Sequence, residues 1–264
     1  MAEEYYRFIT KIKKKTGIDL RLYKENQMKR RITSLRNKRG FHNFDAYYDA
    51  LLQDSALFNE FIDRLTINVS EFYRNPKRWD VLQREVIPYL TKDKSNIFIW
   101  SAACSTGEEP YSIAMMMREH FPHIQTEILA TDIDENILKK AKEGIYHEQS
   151  LKDLPRSFKQ KYFRTKHNLF YLDPTIKQKV TFRKHNLLAD LYPKQVDLIV
   201  CRNVLIYFTD EAKEKIYRQF GKSLNNNGIL FVGSTEQIFN PNQYGLELFD
   251  TFFYQRINTQ NKEY

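Results

Sequence analysis

The chain has 264 residues, 42% of them hydrophobic and 14% aromatic, and a formal charge of +9 from 42 Lys plus Arg against 33 Asp plus Glu. That apolar content excludes a disordered chain and supports one large or two unequal domains. No run approaches the ~20 apolar residues of a membrane span, the start MAEEYYRFIT lacks the apolar stretch of a secretion signal, and Cys104 and Cys201 have neither CxxC spacing nor a nearby His cluster, so a cytoplasmic protein with two reduced, buried thiols and no metal site is expected.

Positive charge is concentrated near the start. Between Lys11 and Arg39 lie twelve basic residues (Lys11, Lys13, Lys14, Lys15, Arg21, Lys24, Lys29, Arg30, Arg31, Arg36, Lys38, Arg39) against Asp19 and Glu25. A polyanionic surface, whether nucleic acid, lipid or acidic protein, is the partner implied for this segment, a merely solvated helix face being the alternative. Residues 1 to about 90 read as helices. Tyr5, Phe8, Ile9 and Ile12 recur at helical spacing, as do Met28, Ile32 and Leu35, then Phe44, Tyr47, Tyr48, Leu51 and Leu52, then Phe58, Phe61, Ile62 and Leu65, with Gly17 and Gly40 as stops. The helix expected from about Tyr23 to Arg39 buries one face and leaves Lys29, Arg30, Arg36 and their neighbours on the other. The stretch 65–75 reads as a capped helix start with Ser70 as the cap.

From Asn96 short apolar runs alternate with amphipathic helical stretches. The runs are Ile97 to Trp100, Glu127 to Thr131, Val180 to Arg183, Val196 to Cys201 and Gly228 to Gly233, with a late aromatic run from Leu246 to Arg256; helices are expected over Pro110 to His120, Glu135 to Glu143 and Asp210 to Ser223. This order predicts a doubly wound α/β fold with a mostly parallel sheet. Asn225 to Gly228 reads as a turn before a strand. Gly144 to about Lys179 breaks the alternation and fits an inserted small β-subdomain. The expected division is therefore a helical domain over 1–75 and an α/β domain over 76–264, with the insert at about 145–180.

The first strand ends in Ser101-Ala102-Ala103-Cys104-Ser105-Thr106-Gly107-Glu108-Glu109, and Pro110 fits the first position of a helix. Small residues let a ligand approach the backbone, at the strand ends where doubly wound sheets bind ligands. The loop has neither the G-x-G-x-x-G of a dinucleotide fold nor the Lys of a phosphate loop. Glu108 and Glu109 would repel a diphosphate but can hold a cation such as the ammonium or sulfonium of S-adenosylmethionine. The second strand ends at Asp132, placed to accept both hydroxyls of a ribose, while Asp134 caps the following helix. Asn186-Leu187 and Cys201-Arg202-Asn203-Val204 end two further strands, the latter leading into Leu205-Ile206-Tyr207-Phe208.

Four stretches together resemble the chemotaxis receptor methyltransferases (CheR), which esterify glutamate side chains on methyl-accepting chemotaxis proteins. They are Asn68 to Arg74 (NVSEFYR), Trp100 to Ala114 (WSAACSTGEEPYSIA), Ala130 to Asp134 (ATDID) and Cys201 to Phe208 (CRNVLIYF). The resemblance covers nearly the whole chain and implies a methyltransferase fold with S-adenosylmethionine as methyl donor and S-adenosylhomocysteine as product. The implied cofactor contacts are Asn68, Ser70, Arg74, Glu108, Asp132, Asn186, Leu187, Asn203 and Val204. The implied active-site pair is Arg74 and Tyr207, and the implied substrate-docking surface is Arg30, Arg31, Arg36, Lys38 and Arg39. The implied partner is the cytoplasmic helical region of receptors, reached by a cytoplasmic enzyme recruited to membrane arrays without membrane insertion.

One part of the family pattern is missing. Members that bind receptor tails have a glycine-rich loop in the β-subdomain, whereas Arg164 to Tyr171 contains no glycine, so independence from a receptor C-terminal pentapeptide is expected. A nucleic-acid methyltransferase would suit the basic helix but needs a base pocket, and no Asn-Pro-Pro-Tyr element follows Val200. A non-catalytic adaptor is opposed by intact Glu108, Asp132, Arg74 and Tyr207.

Overall fold

Aromatic and aliphatic residues at helical spacing build the first part of the chain in the computed structural model, which describes residues 2–65 and 70–257. The chain divides into two compact units, Met1–Asn68 with Leu205–Lys215, and Val69–Val204 with Ile216–Tyr264. The sequence pattern had placed the boundary at residue 75 and held 205–215 in the α/β domain.

In the helical unit, α1 (Ala2–Thr16), α2 (Glu25–Lys38), α3 (Phe44–Gln53) and α4 (Ser55–Leu65) follow one another. Phe8 is the hub, its ring 5.1 Å from Phe44, 6.0 Å from Tyr47 and 5.8 Å from Phe61. Gly17 and Gly40 take left-handed backbone just beyond α1 and α2. Asn43 caps α3 through the amide of Ala46, and Asp54 caps α4 through those of Ala56 and Leu57. α2 begins two residues later than expected because Tyr23 is extended and bridges Phe208, while the amide of Lys24 donates to the carbonyl of Tyr207. These bonds, with Thr209 N to Leu22 O at 2.9 Å, are what tie 205–215 to the helical unit.

The second unit opens with α5 (Pro76–Val81), a π-turn over Leu82–Val86 and α6 (Ile87–Thr91). The helical periodicity thus runs on past the helical unit, and Trp79, Leu82, Val86 and Ile87 are buried in the α/β core. Then come β1 (Asn96–Ala102), α7 (Glu108–His120), β2 (Gln125–Asp132), α8 (Glu135–Glu143), β3 (Ile145–Tyr146), α9 (Arg156–Tyr162), β4 (Phe163–Lys166), β5 (Leu169–Leu172), α10 (Pro174–Lys177), β6 (Val180–Lys184), β7 (Val196–Cys201), α11 (Asp210–Ser223), β8 (Leu224–Val232), β9 (Leu246–Asp250) and β10 (Phe253–Arg256).

The main sheet has the order β6-β2-β1-β7-β8-β10-β9. β6, β2, β1, β7 and β8 are parallel, and β10 is antiparallel to both β8 and β9. Every residue of β7 is buried, as a strand covered on both faces requires. Asn225 to Asn227 lie within β8, where the register against β7 shifts, rather than in a separate turn. The insert forms a three-stranded antiparallel sheet, β3-β5-β4. Strand order reverses between β1 and β7, the switch point at whose carboxyl end a doubly wound sheet opens a crevice. Among the described residues no helix is long and apolar enough to cross a membrane.

Candidate functional site

After β1 the backbone reverses through left-handed conformations at Ala103, Ser105 and Gly107. Glycine adopts such backbone without cost, whereas Ala103 and Ser105 hold it against the strain of their Cβ atoms. At Gly107 a Cβ would lie 3.1 Å from both Ala141 Cβ and the Tyr111 ring, so glycine is also a packing requirement. The amide of Cys104 donates to the carbonyl of Thr131, and the Tyr146 hydroxyl to that of Thr106, which hold the loop to β2 and to the insert. α7 starts at Glu108, so Pro110 occupies its third position, where its missing amide is still no loss.

The two adjacent glutamates have separate roles. Glu108 Oε2 accepts from Thr106 Oγ1 at 2.6 Å, the Ser70 and Ser150 hydroxyls also bond to its carboxylate, and burial raises its pKa against these bonds. Glu109 turns the other way, accepting from Ser101 Oγ at 2.8 Å and facing Arg202 with Nη1 3.8 Å from Oε2. Burial pushes Glu109 up to about 7, opposed by the Arg202 charge and the Ser101 bond. Glu109 is therefore committed to an internal ion pair, which corrects the reading that both acids face a ligand.

Asp132 is buried at the end of β2, its Oδ2 accepting the amide of Ser105 at 2.9 Å and its Oδ1 that of Asp134 at 3.1 Å. It thus shapes the β1 loop, and burial pushes it up to about 6. Asp134 caps α8 through the amides of Asn136 and Ile137, as expected. Asn186 Oδ1 accepts the amide of Leu188 in an Asx turn, and the carbonyl of Leu187 accepts the Tyr192 hydroxyl. Asn203, in left-handed backbone, and Val204 both donate their amides to Glu236, a buried acid that sequence reasoning missed. Its only signal in the sequence is an acid three residues beyond a strand-ending glycine, Gly233.

The stretch 70–75 is not a helix start; Ser70 has no regular secondary structure and α5 begins only at Pro76. Its backbone is instead fastened across the strand ends. Phe72 N donates to Ser150 O at 2.9 Å and Tyr73 N to Ser112 Oγ at 3.2 Å. The carbonyl of Arg74 accepts from Arg202 Nη2 at 2.7 Å and Trp79 Nε1 at 3.0 Å, and Asn75 Nδ2 reaches Ser234 Oγ at 3.4 Å. Tyr73 and Asn75 both hold positive φ, a strain these bonds sustain. Arg202 itself is buried, its guanidinium 4.7 Å from the Phe231 ring centroid. Arg74 is half-buried and its charge is felt at Glu109. Asn68 lies outside the described residues.

Tyr207 belongs to the helical unit, on a short 3₁₀ turn, with the Arg31 guanidinium 5.8 Å from its ring centroid. Arg31 also donates to the carbonyl of Leu65 at 3.0 Å. Arg31 and Tyr207, with Gln27, Arg30, Ser34, Leu35, Lys38 and Arg64, line a groove of about 550 Å³ along α2. Of the five expected docking residues, Arg30 and Lys38 are exposed in the groove and Arg31 forms its floor. Arg36 bonds Asn37 and stacks on Phe44, and the exposed Arg39 pairs with Glu60 at 2.7 Å.

The parallel sheet, the small-residue loop and the buried acids at the ends of β1 and β2 define an S-adenosylmethionine-dependent methyltransferase. The donor set fits that cofactor. Carboxylates accept from ribose hydroxyls and attract an ammonium, and the buried Ser105 hydroxyl has no partner among the described residues. The chain belongs to the CheR methyltransferase family: residues 3–66 match its all-alpha domain and residues 68–251 its SAM binding domain. It is 45% identical over 255 residues to the chemotaxis protein methyltransferase of Listeria monocytogenes, covering 96% of this chain and 97% of that one. The relative of the same name in Borreliella burgdorferi is 36% identical, with 89% and 88% covered, and that of Escherichia coli 32% identical, with 89% and 85% covered.

Proposed function

We propose that this protein methylates glutamate side chains on the cytoplasmic helices of methyl-accepting chemotaxis receptors, forming methyl esters. The observation that carries the reading is one loop that places Glu108, bonded to Ser70, and the Ser105 amide, bonded to Asp132 at the end of β2, in a chain of this family. S-adenosylmethionine supplies the methyl group as a sulfonium electrophile. Glu108 and Asp132 hold it, Asp132 through the ribose, with Asn68, Ser70, Asn186, Leu187, Asn203 and Val204 completing the contacts.

A glutamate carboxylate is already ionised near neutral pH and needs no general base. What the protein supplies is alignment and exclusion of water, worth several kcal/mol of barrier. Arg74 orients the incoming carboxylate or the cofactor, and Tyr207 adds a hydrogen bond. The exposed Arg30 and Lys38 draw in an acidic receptor helix, which recruits the enzyme to receptor arrays, and no receptor C-terminal pentapeptide is needed. Incubation with a purified receptor cytoplasmic fragment and cofactor, followed by peptide mass spectrometry, should locate the methyl on glutamates. Methyl groups on other residues, or none, would refute the assignment, and tight calorimetric binding of a receptor tail peptide would refute the pentapeptide independence.

A further inference from the structure

Both carboxylate oxygens of Glu236 accept backbone amides. Oε2 accepts the amides of Asn203 at 2.6 Å and Gly233 at 2.8 Å, and Oε1 accepts that of Val204 at 2.8 Å. Its own amide donates to the carbonyl of Gly233 at 3.0 Å, closing a tight turn at the end of β8. The side chain is 4% exposed, so these bonds are made away from competing water. Bonds from backbone amides to a buried carboxylate are the stronger, charge-assisted kind.

Gly233 is matched to this arrangement. A Cβ there would lie 2.4 Å from Glu236 Oε2 and 2.9 Å from the Asn203 amide nitrogen. The clamp therefore needs both an acid at 236 and no side chain at 233. What it fixes is the backbone just past β7, where Asn203 is held at φ 61. The same turn carries Ser234, whose hydroxyl meets Asn75. One carboxylate thus joins the ends of two neighbouring strands and sits beside the 70–75 stretch.

We propose that Glu236 is a positioning residue for methyl-donor binding: it sets the Asn203-Val204 backbone against the cofactor without touching the cofactor itself. The proposal rests on the reading that Asn203 and Val204 contact S-adenosylmethionine. In Glu236→Gln one oxygen is replaced by an NH2 group that faces an amide donor, so at least one of the three bonds is lost. In Gly233→Ala the carboxylate remains but is pushed off its amides.

The test is calorimetric binding of S-adenosylhomocysteine to wild type, Glu236→Gln and Gly233→Ala, with circular dichroism to verify folding and steady-state kinetics on a receptor fragment. Both variants should fold, bind the product on the order of tenfold more weakly, and raise KM for the donor while kcat changes much less. Wild-type affinity in both folded variants would overturn the proposal. So would failure of both to fold, because Glu236 would then serve general stability. Absence of product binding by the wild type would instead remove the cofactor reading on which the proposal depends.

Discussion

Arg74 acts through two separable parts. Its carbonyl anchors Arg202 and Trp79, and those bonds survive any side-chain substitution, whereas its guanidinium is half-buried near Glu109. Arg74→Ala should therefore keep its fold and lose about 100-fold in kcat/KM, as removal of one charged orienting group does elsewhere. Near-normal turnover at saturating cofactor would show that Arg74 does not orient the reaction. Asp132 makes a prediction in pH. Burial holds it at about 6, so the anion that accepts ribose hydroxyls is lost as pH falls through 6, and affinity for S-adenosylhomocysteine should fall with it. Stability of the unliganded protein runs the other way. A carboxyl whose folded pKa is raised contributes stability that is fully present below the unfolded value of about 3.9 and lost as pH rises through 6. Melting curves should show wild type losing ground to Asp132→Asn between about pH 4 and 6 while calorimetry shows product affinity rising. A flat affinity over that range would contradict the role given to Asp132. Single residues with local jobs, such as the Asp134 cap, were legible in the sequence. The Glu109–Arg202 pair and the Glu236 clamp were not, because each depends on which strands become neighbours.

At the scale of elements, the loop between β1 and α7 and the groove along α2 make independent demands. Gly107→Ala combines left-handed backbone at φ 92 with a Cβ pressed on Ala141 and Tyr111, and should cost about 1–2 kcal/mol or more. Chemical denaturation measures it, and an unchanged midpoint would mean the loop adjusts freely. α2 was legible from its periodicity, but its polar face was not. Arg36 and Arg39, equal to Arg30 and Lys38 in sequence, are engaged with Asn37, Phe44 and Glu60. Reversing two of the exposed charges, Arg30→Glu with Lys38→Glu, should raise KM for a receptor fragment at least about tenfold and flatten its salt dependence, leaving product affinity unchanged. Unaltered KM would place the docking surface elsewhere.

At the scale of the molecule, strand and helix alternation revealed the doubly wound sheet, and the broken alternation revealed the insert. The domain boundary was less visible. α5 and α6 carry the helical pattern into the α/β core, and 205–215 joins the helical unit through main-chain bonds to Leu22 and Lys24 that no side-chain pattern encodes. Arg74 belongs to the α/β unit and Tyr207 to the helical unit. The most direct test of the proposed esterification is to label receptor-containing membranes with methyl-labelled S-adenosylmethionine and the purified protein, then treat the product with mild base. Release of the label as volatile methanol is the expected result, since a carboxyl ester hydrolyses under those conditions. Label that stays on protein, or appears on nucleic acid, would contradict esterification of a receptor glutamate.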